Sequence, residues 1–94
     1  MTREQKKTVR KALRRCGRRA CEAYAPGWGE AVAETLAYYD RADPVCAALL
    51  RLRYLEGRSE NEVLSKLYIG RTTYYRKELE ALSTLAIAAA RRGL

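Results

Sequence analysis

Hydrophobic residues recur at helical spacing along almost the whole chain. Apolar residues repeat every three or four positions, and only two prolines and six glycines interrupt the 94 residues. This spacing collects apolar side chains on one face of successive α-helices. The pattern therefore predicts an all-α protein, a small bundle of about five helices.

The first predicted helix covers residues 3–24 and is strongly amphipathic. Its nine basic side chains surround an arc of apolar and small residues. That arc consists of Val9, Ala12, Leu13, Cys16, Ala20, Ala23 and Tyr24. The segment APGWG, residues 25–29, then ends the helix, because Pro and Gly favour a turn. We therefore divide the chain into a basic amphipathic N-terminal helix, residues 1–24, and a helical domain, residues 28–94.

Two further helices are predicted in the middle of the chain. The second runs from about Trp28 to Tyr39. Asp43 followed by Pro44 predicts the N-cap and first position of the third helix, and Gly57 predicts its end. The expected buried positions are Trp28, Val32, Leu36 and Tyr39 in the second helix and Val45, Ala48, Leu49, Leu52 and Leu55 in the third.

The C-terminal part of the chain predicts a helix-turn-helix at residues 59–83. SENE, residues 59–62, fits a capping box that starts a short fourth helix, Glu60 to Leu67. A small turn, YIG, precedes a fifth helix that begins near Arg71 and buries Leu79, Leu82, Leu85, Ala86 and Ala89. Two helices joined in this way form the motif that many DNA-binding proteins use. Val63, Leu64, Leu67, Ile69 and Tyr74 are expected to form the apolar seam between them.

Donor side chains concentrate at the start of the fifth helix, where a major groove offers acceptors. Arginine can bind the O6 and N7 edge of guanine, and threonine can contact a thymine methyl or a phosphate. The predicted base-reading residues are Arg71, Thr72, Thr73, Tyr75 and Arg76. The predicted phosphate contacts are Arg58, Ser59, Lys66 and Lys77, joined by Arg10, Arg14 and Arg18 of the N-terminal helix.

The charge distribution agrees with a polyanionic partner. Net charge is +8, and residues 1–24 alone carry nine basic and two acidic side chains. An anionic membrane surface is the weaker alternative, because only Val9, Leu13 and Tyr24 are large on the apolar arc. We expect no membrane partner and a cytoplasmic location.

Catalytic chemistry is not indicated. The chain has no histidine, no phosphate-binding glycine loop and no convincing acid pair, and Glu60, Glu62, Glu78 and Glu80 are interpreted as capping or solvated charges. The three cysteines follow no metal spacing and are expected to be reduced. We therefore predict that the protein is not an enzyme and uses no metal or cofactor.

The segment LLRLRYLEGRSENEVLSKLYIGRTTYYRKELEAL, residues 49–82, resembles region 4 of sigma-70-type factors and, more closely, phage late-gene regulators of the ArpU and RinA type. The resemblance implies a DNA-binding transcriptional regulator of phage or prophage origin, an activator of late genes, with base contacts at Arg71, Thr72, Tyr75 and Arg76. RNA polymerase is a further partner to consider, and the cytoplasm of a bacterial host cell is the location that the resemblance implies. The family usually has a serine N-cap where this chain has Gly70, and common helix-turn-helix units carry Ala and Gly at the places of Leu64 and Tyr68.

Two other interpretations remain open from the sequence. The same fold can serve a helical DNA-packaging protein, similar to a small terminase subunit, or a protein-interaction adaptor that does not read bases. Leu79, Leu82, Ala86 and Ala89 also recur at heptad spacing, which would suit either a homodimer or packing within the chain.

Overall fold

The computed structural model describes residues 2–17 and 27–94, and within these ranges it is entirely helical, with no strand. Its helices are α1 (Arg3–Gly17), α2 (Trp28–Ala42), α3 (Pro44–Leu50), α4 (Glu60–Leu67) and α5 (Arg71–Arg91). A π-helical turn, Arg51–Leu55, continues α3. The predicted bundle of about five helices is thus confirmed. The part of the first predicted helix that covers residues 18–24 lies outside the described residues.

Local signals set the ends of the central helices as the sequence predicts. Asp43 is the N-cap of α3, where its carboxylate accepts the backbone N–H of Cys46 at 3.4 Å. Gly57, with φ of 71°, adopts the left-handed conformation after the π-helical turn. The capping box is present in full: Ser59 Oγ accepts the N–H of Glu62, and the Glu62 carboxylate accepts the N–H of Ser59.

The main hydrophobic core lies between α1, α2, α3 and α5. Its α1 residues are Val9, Ala12 and Leu13, all buried, so this helix packs on the domain through the predicted apolar arc. The α2 residues are Trp28, Ala31, Val32, Leu36 and Tyr39, and α5 supplies Ala81, Leu82, Leu85, Ala88 and Ala89. Removing these side chains from water is the dominant favourable contribution to the fold.

The face of the third helix differs from the prediction. The most deeply buried residues there are Cys46, Ala47, Leu49, Leu50 and Tyr54, while the predicted Val45, Ala48, Leu52 and Leu55 are only partly buried. The π-helical turn is one cause, because its wider ring, closed by the Glu56 N–H on the Arg51 carbonyl at 2.8 Å, rotates the residues after Leu50. A regular 100° wheel therefore fails in this segment.

The position of Leu79 also differs from the prediction. The apolar pattern predicts that it is buried, but 45% of its surface is exposed. The buried line of α5 instead passes through Tyr74, Glu78, Leu82 and Leu85, at spacings of four, four and three, and this line leaves Leu79 outside.

The cysteines show two environments. Cys46 is fully buried with a free thiol, which donates to the backbone carbonyl of Lys77 at 3.4 Å. Burial, and then the nearby Asp43 charge, raise the pKa of this thiol to about 12. Cys16 is disulfide-bonded, so the expectation of a reduced thiol is wrong at that position.

In the part of the chain that the structure describes, no helix is long and apolar enough to cross a bilayer.

Candidate nucleic-acid interface

The turn between α4 and α5 sets the direction of the candidate reading helix. Tyr68 ends α4 in the left-handed conformation, with φ of 54° and ψ of 45°, and its side chain is 94% exposed. Gly70 is the N-cap of α5 in an extended conformation and offers no side-chain cap. The first-turn amides of α5 thus keep their donors and their partial positive charge, which favours an anion.

A small apolar cluster holds α5 from behind. Leu49, Val63 and Tyr74 are fully buried together, with Leu52, Leu64, Leu67 and Ile69 packed around them. The predicted seam between the two helices is therefore confirmed. Tyr74 is its anchor on α5, because its ring is 1% exposed and its hydroxyl donates to Glu78 Oε2 at 2.9 Å. This arrangement directs the opposite side of the first turn toward solvent.

Four of the five predicted base-reading residues lie on that outward side. Arg71, Thr72 and Arg76 are exposed, and Tyr75 is 51% exposed. Thr73 is half-buried. The first two turns of α5 therefore present two guanidinium groups, a threonine and a tyrosine hydroxyl on one surface. We call these four residues the reading turn.

Glu60 of α4 holds two side chains of the reading turn. Its Oε2 atom accepts hydrogen bonds from the Arg71 guanidinium and, at 3.0 Å, from the Tyr75 hydroxyl. Arg71 also donates to Asn61 Oδ1 at 2.8 Å. The hydrogen bond to Glu60 raises the pKa of Tyr75. The first turn of α4 thus orients the two side chains without covering them.

The predicted phosphate contacts around α4 differ in their availability. Lys66 is exposed and makes no ion pair with the described residues. Arg58 forms ion pairs with Glu62 at 3.3 Å and Glu56 at 3.5 Å, which compete with a phosphate. Ser59 is occupied as the N-cap of α4. Lys66 is consequently the most accessible cation on this helix.

Two other predicted phosphate contacts are held by carboxylates of the domain. The ammonium of Lys77 pairs with Asp43, and only 18% of the lysine side chain is exposed. That hydrogen bond is the main reason that the pKa of Asp43 is lowered. Arg10 pairs with Glu78 at 2.8 Å. Both cations therefore act first as links between helices.

The remaining predicted contacts lie on the N-terminal helix. Arg14 is exposed, and its guanidinium lies 5.7 Å from the centre of the Tyr54 ring. Arg18 lies outside the described residues. Of the predicted phosphate contacts on α1 that the structure describes, Arg14 is therefore the one that remains available at the surface.

Sequence reasoning missed a buried polar network beneath the reading turn. The Glu78 side chain is 8% exposed, and its carboxylate accepts hydrogen bonds from Arg10, Tyr54 and Tyr74 at 2.8 to 2.9 Å. The expectation that Glu78 is solvated is therefore wrong. Burial, and then the Glu78 charge, raise the pKa of Tyr54. One available signal was the position of Glu78, four residues after the predicted core residue Tyr74.

This network links α1 to α5. Arg10 comes from α1, Tyr54 from the π-helical turn, and Tyr74 and Glu78 from α5. Every buried side-chain polar atom in the described ranges has a hydrogen-bond partner, so the network is closed.

Comparisons with protein-family models, curated proteins and solved structures return no match.

Proposed function

We propose that this protein is a transcriptional regulator that binds double-stranded DNA sequence-specifically through the reading turn of α5. The observation that supports this most strongly is the two-sided first turn of α5. Tyr74 fastens it to the core, while Arg71, Thr72 and Arg76 on its other side face solvent. A helix held in this way can enter a major groove without local unfolding.

Each exposed group has a chemical role in this proposal. Arg71 and Arg76 read guanine through paired hydrogen bonds to its O6 and N7 atoms. Thr72 offers a methyl group for thymine and a hydroxyl for a phosphate. The single proton of the Tyr75 hydroxyl is donated to Glu60, so this hydroxyl donates to DNA only when that hydrogen bond is exchanged. Glu60 limits the rotamers of Arg71, which keeps further N–H groups for a base, so less conformational entropy is lost when this side chain binds DNA.

The DNA backbone is contacted by groups that flank the reading turn. The uncapped N-terminus of α5 offers backbone amides to a phosphate, and Lys66 of α4 adds an exposed positive charge. The net charge of +8 favours approach to DNA at any sequence. Specificity then depends on the reading turn, since phosphate contacts carry no direct sequence information.

Regulation of transcription, as opposed to DNA binding alone, is supported by the resemblance of residues 49–82 to sigma region 4 and to phage late-gene regulators of the ArpU and RinA type. On that basis we propose a phage or prophage late-gene activator. RNA polymerase would be the second partner of such a protein.

Selection of bound duplexes from a random-sequence pool tests this function, because the pool contains every short operator sequence. The full chain is expected to enrich one shared motif, and a variant with both Arg71→Ala and Arg76→Ala is expected to enrich none. Retention of duplexes with no shared motif by the wild type would contradict base reading and favour a packaging protein. Failure to retain any duplex would favour an adaptor that does not bind DNA.

A further inference from the structure

A second basic feature lies beside the reading turn, in a cleft between α1, the π-helical turn and α5. The cleft has a volume of about 320 Å³. Its cationic lining residues are Lys7, Arg10 and Arg14 of α1 and Arg53 of the π-helical turn. Its acidic lining residues are Glu60 and Glu78. Four cations against two carboxylates leave the cleft with an excess of positive charge.

The two carboxylates are already engaged. Glu78 is paired with Arg10, and Glu60 binds Arg71 and Tyr75. The other three cations of the cleft, Lys7, Arg14 and Arg53, have no carboxylate partner in the described parts of the chain. The positive charge of the cleft is thus left for an external anion.

Aromatic and backbone contacts orient two of these three cations. The guanidinium groups of Arg14 and Arg53 lie 5.7 and 5.8 Å from the centre of the same ring, that of Tyr54. Arg53 also donates to the backbone carbonyl of Arg58 at 3.1 Å. Two guanidinium groups held near one ring offer several N–H donors in a small volume, which suits the oxygens of a phosphate.

The direction of α1 brings this cleft to the DNA side of the molecule. Gln5 lies near Ala90, toward the C-terminal end of α5, whereas Arg10 contacts Glu78 near its start. The two helices are therefore antiparallel, and Arg14 lies one turn further toward the reading turn. Tyr75, a residue of the reading turn, also lines the cleft. A duplex contacted by the reading turn would pass its sugar-phosphate strand over this opening.

We propose that the cleft is a phosphate-binding site in which Lys7, Arg14 and Arg53 hold a backbone phosphate of the DNA that α5 reads. This inference rests on the proposed function and adds a defined site for one backbone phosphate, with two residues, Lys7 and Arg53, that are not among the predicted phosphate contacts. It also gives the π-helical turn a role, because this turn places Arg53 beside Tyr54 and the cleft. Turns of this kind occur frequently at functional sites.

The salt dependence of DNA binding tests the site with a labelled duplex of arbitrary sequence, about 20 base pairs long, between roughly 50 and 200 mM salt. A Lys7→Ala/Arg14→Ala variant, with both changes at exposed positions, is expected to lower the slope of log K against log salt by about 1 to 2. An Arg41→Ala/Arg91→Ala variant removes the same charge at two exposed positions of α2 and α5 that do not line the cleft, and it should leave the slope unchanged. Equal slopes for the two double variants would overturn the proposal.

Substitution of Arg53, which does not belong to α1, distinguishes binding in the cleft from general attraction of DNA by the basic α1 helix. Arg53→Ala is expected to lower the slope by about 1, and Arg53→Lys, which keeps the charge, should restore most of it. A normal slope in a folded Arg53→Ala variant would place the phosphate outside the cleft. If the wild type binds no duplex at all, the proposed function fails together with this inference, whereas normal binding with unchanged slopes overturns the inference alone.

A free phosphate group is the other source of the same chemistry. Thermal unfolding of the full chain in inorganic phosphate, compared with chloride at equal ionic strength, is expected to show no saturable stabilisation. Saturable stabilisation that Lys7→Ala/Arg14→Ala abolishes would identify a small phosphate compound as the ligand and would overturn the assignment to DNA.

Discussion

At the residue scale, the Glu78 carboxylate carries more structural consequence than any other charged group beneath the reading turn. It satisfies the buried hydroxyls of Tyr54 and Tyr74 and pairs with Arg10, which keeps 34% of its side chain exposed. Glu78→Ala leaves two buried hydroxyls without their acceptor, so we expect the free energy of unfolding to fall by about 2 to 3 kcal/mol. Urea unfolding measures this. Glu80→Ala, at an exposed position of the same helix, should change it by less than about 0.5 kcal/mol.

The role of Glu78 was hidden from the sequence because its partners are distant along the chain. Arg10 is 68 residues away and Tyr54 is 24 residues away. A helical wheel treats a glutamate as solvated unless a partner is known. Tyr74, in contrast, was predicted as a core residue from its spacing after Ile69, since this signal is local.

Glu60 is the second residue with a specific consequence. Its carboxylate aligns Arg71 and Tyr75 and places a negative charge on the surface where we propose that DNA binds. Glu60→Gln should strengthen binding to non-specific duplexes by about 1 kcal/mol, roughly fivefold, and should weaken discrimination between sites because Arg71 is less constrained. Titration of labelled duplexes measures both effects. Glu80→Gln makes the same change of charge away from the reading turn, and an equal effect of the two substitutions would argue against a local role for Glu60.

At the element scale, the turn between α4 and α5 holds a tyrosine in a conformation that glycine adopts more easily. Tyr68 has φ of 54°, yet its ring is 94% exposed and contributes little packing. Tyr68→Gly should raise the free energy of unfolding by about 0.5 to 1 kcal/mol, because relief of left-handed strain exceeds the entropic cost of glycine. Tyr68→Ala retains the strain and should be close to neutral in the same thermal or urea unfolding measurement. Equal stability of the two variants would mean that Tyr68 is not strained.

The elements of the helix-turn-helix could be predicted well because their signals are local. The capping box starts α4 at the predicted residue, and α5 begins at Arg71 as expected. The π-helical turn could not be predicted from a helical wheel, and the partners of Tyr54 within it, Arg10 and Glu78, lie 44 and 24 residues away along the chain. The exposed donors at the start of α5 could be predicted from composition and helical spacing, but the orientation of Arg71 and Tyr75 by Glu60 required the folded arrangement of α4 and α5.

At the scale of the whole molecule, buried tyrosine hydroxyls and the buried Cys46 thiol make the free energy of unfolding decrease at alkaline pH. Burial raises the pKa values of Tyr54 and Tyr74, and the neighbouring Glu78 raises them further. Burial raises the pKa of Tyr39 and that of the Cys46 thiol to about 12. Because these pKa values are higher in the folded state, their contribution to stability is complete below the unfolded pKa values, about 8.5 for Cys and 10 for Tyr, and is lost as pH rises above them.

We therefore expect the free energy of unfolding to be constant between about pH 7 and 8 and to fall steadily above about pH 9, by up to roughly 1.4 kcal/mol per pH unit for each group. Urea unfolding across this range measures the fall. Absorbance of tyrosinate should rise in two stages, with the exposed rings first and the buried rings as the chain unfolds. A constant free energy up to about pH 11 would show that these groups are not protected in the folded state.

Base reading by the start of α5 is tested most directly by a comparison of Arg76→Ala with Lys66→Ala on the motif selected by the wild type. Arg76→Ala should cost about 1 to 3 kcal/mol on that motif and relax the preference at one base pair. Lys66→Ala should weaken binding to all duplexes equally and reduce the salt slope by about 1. If Arg76→Ala keeps the full wild-type preference at every base pair, the reading turn does not face the bases and base reading by α5 is contradicted.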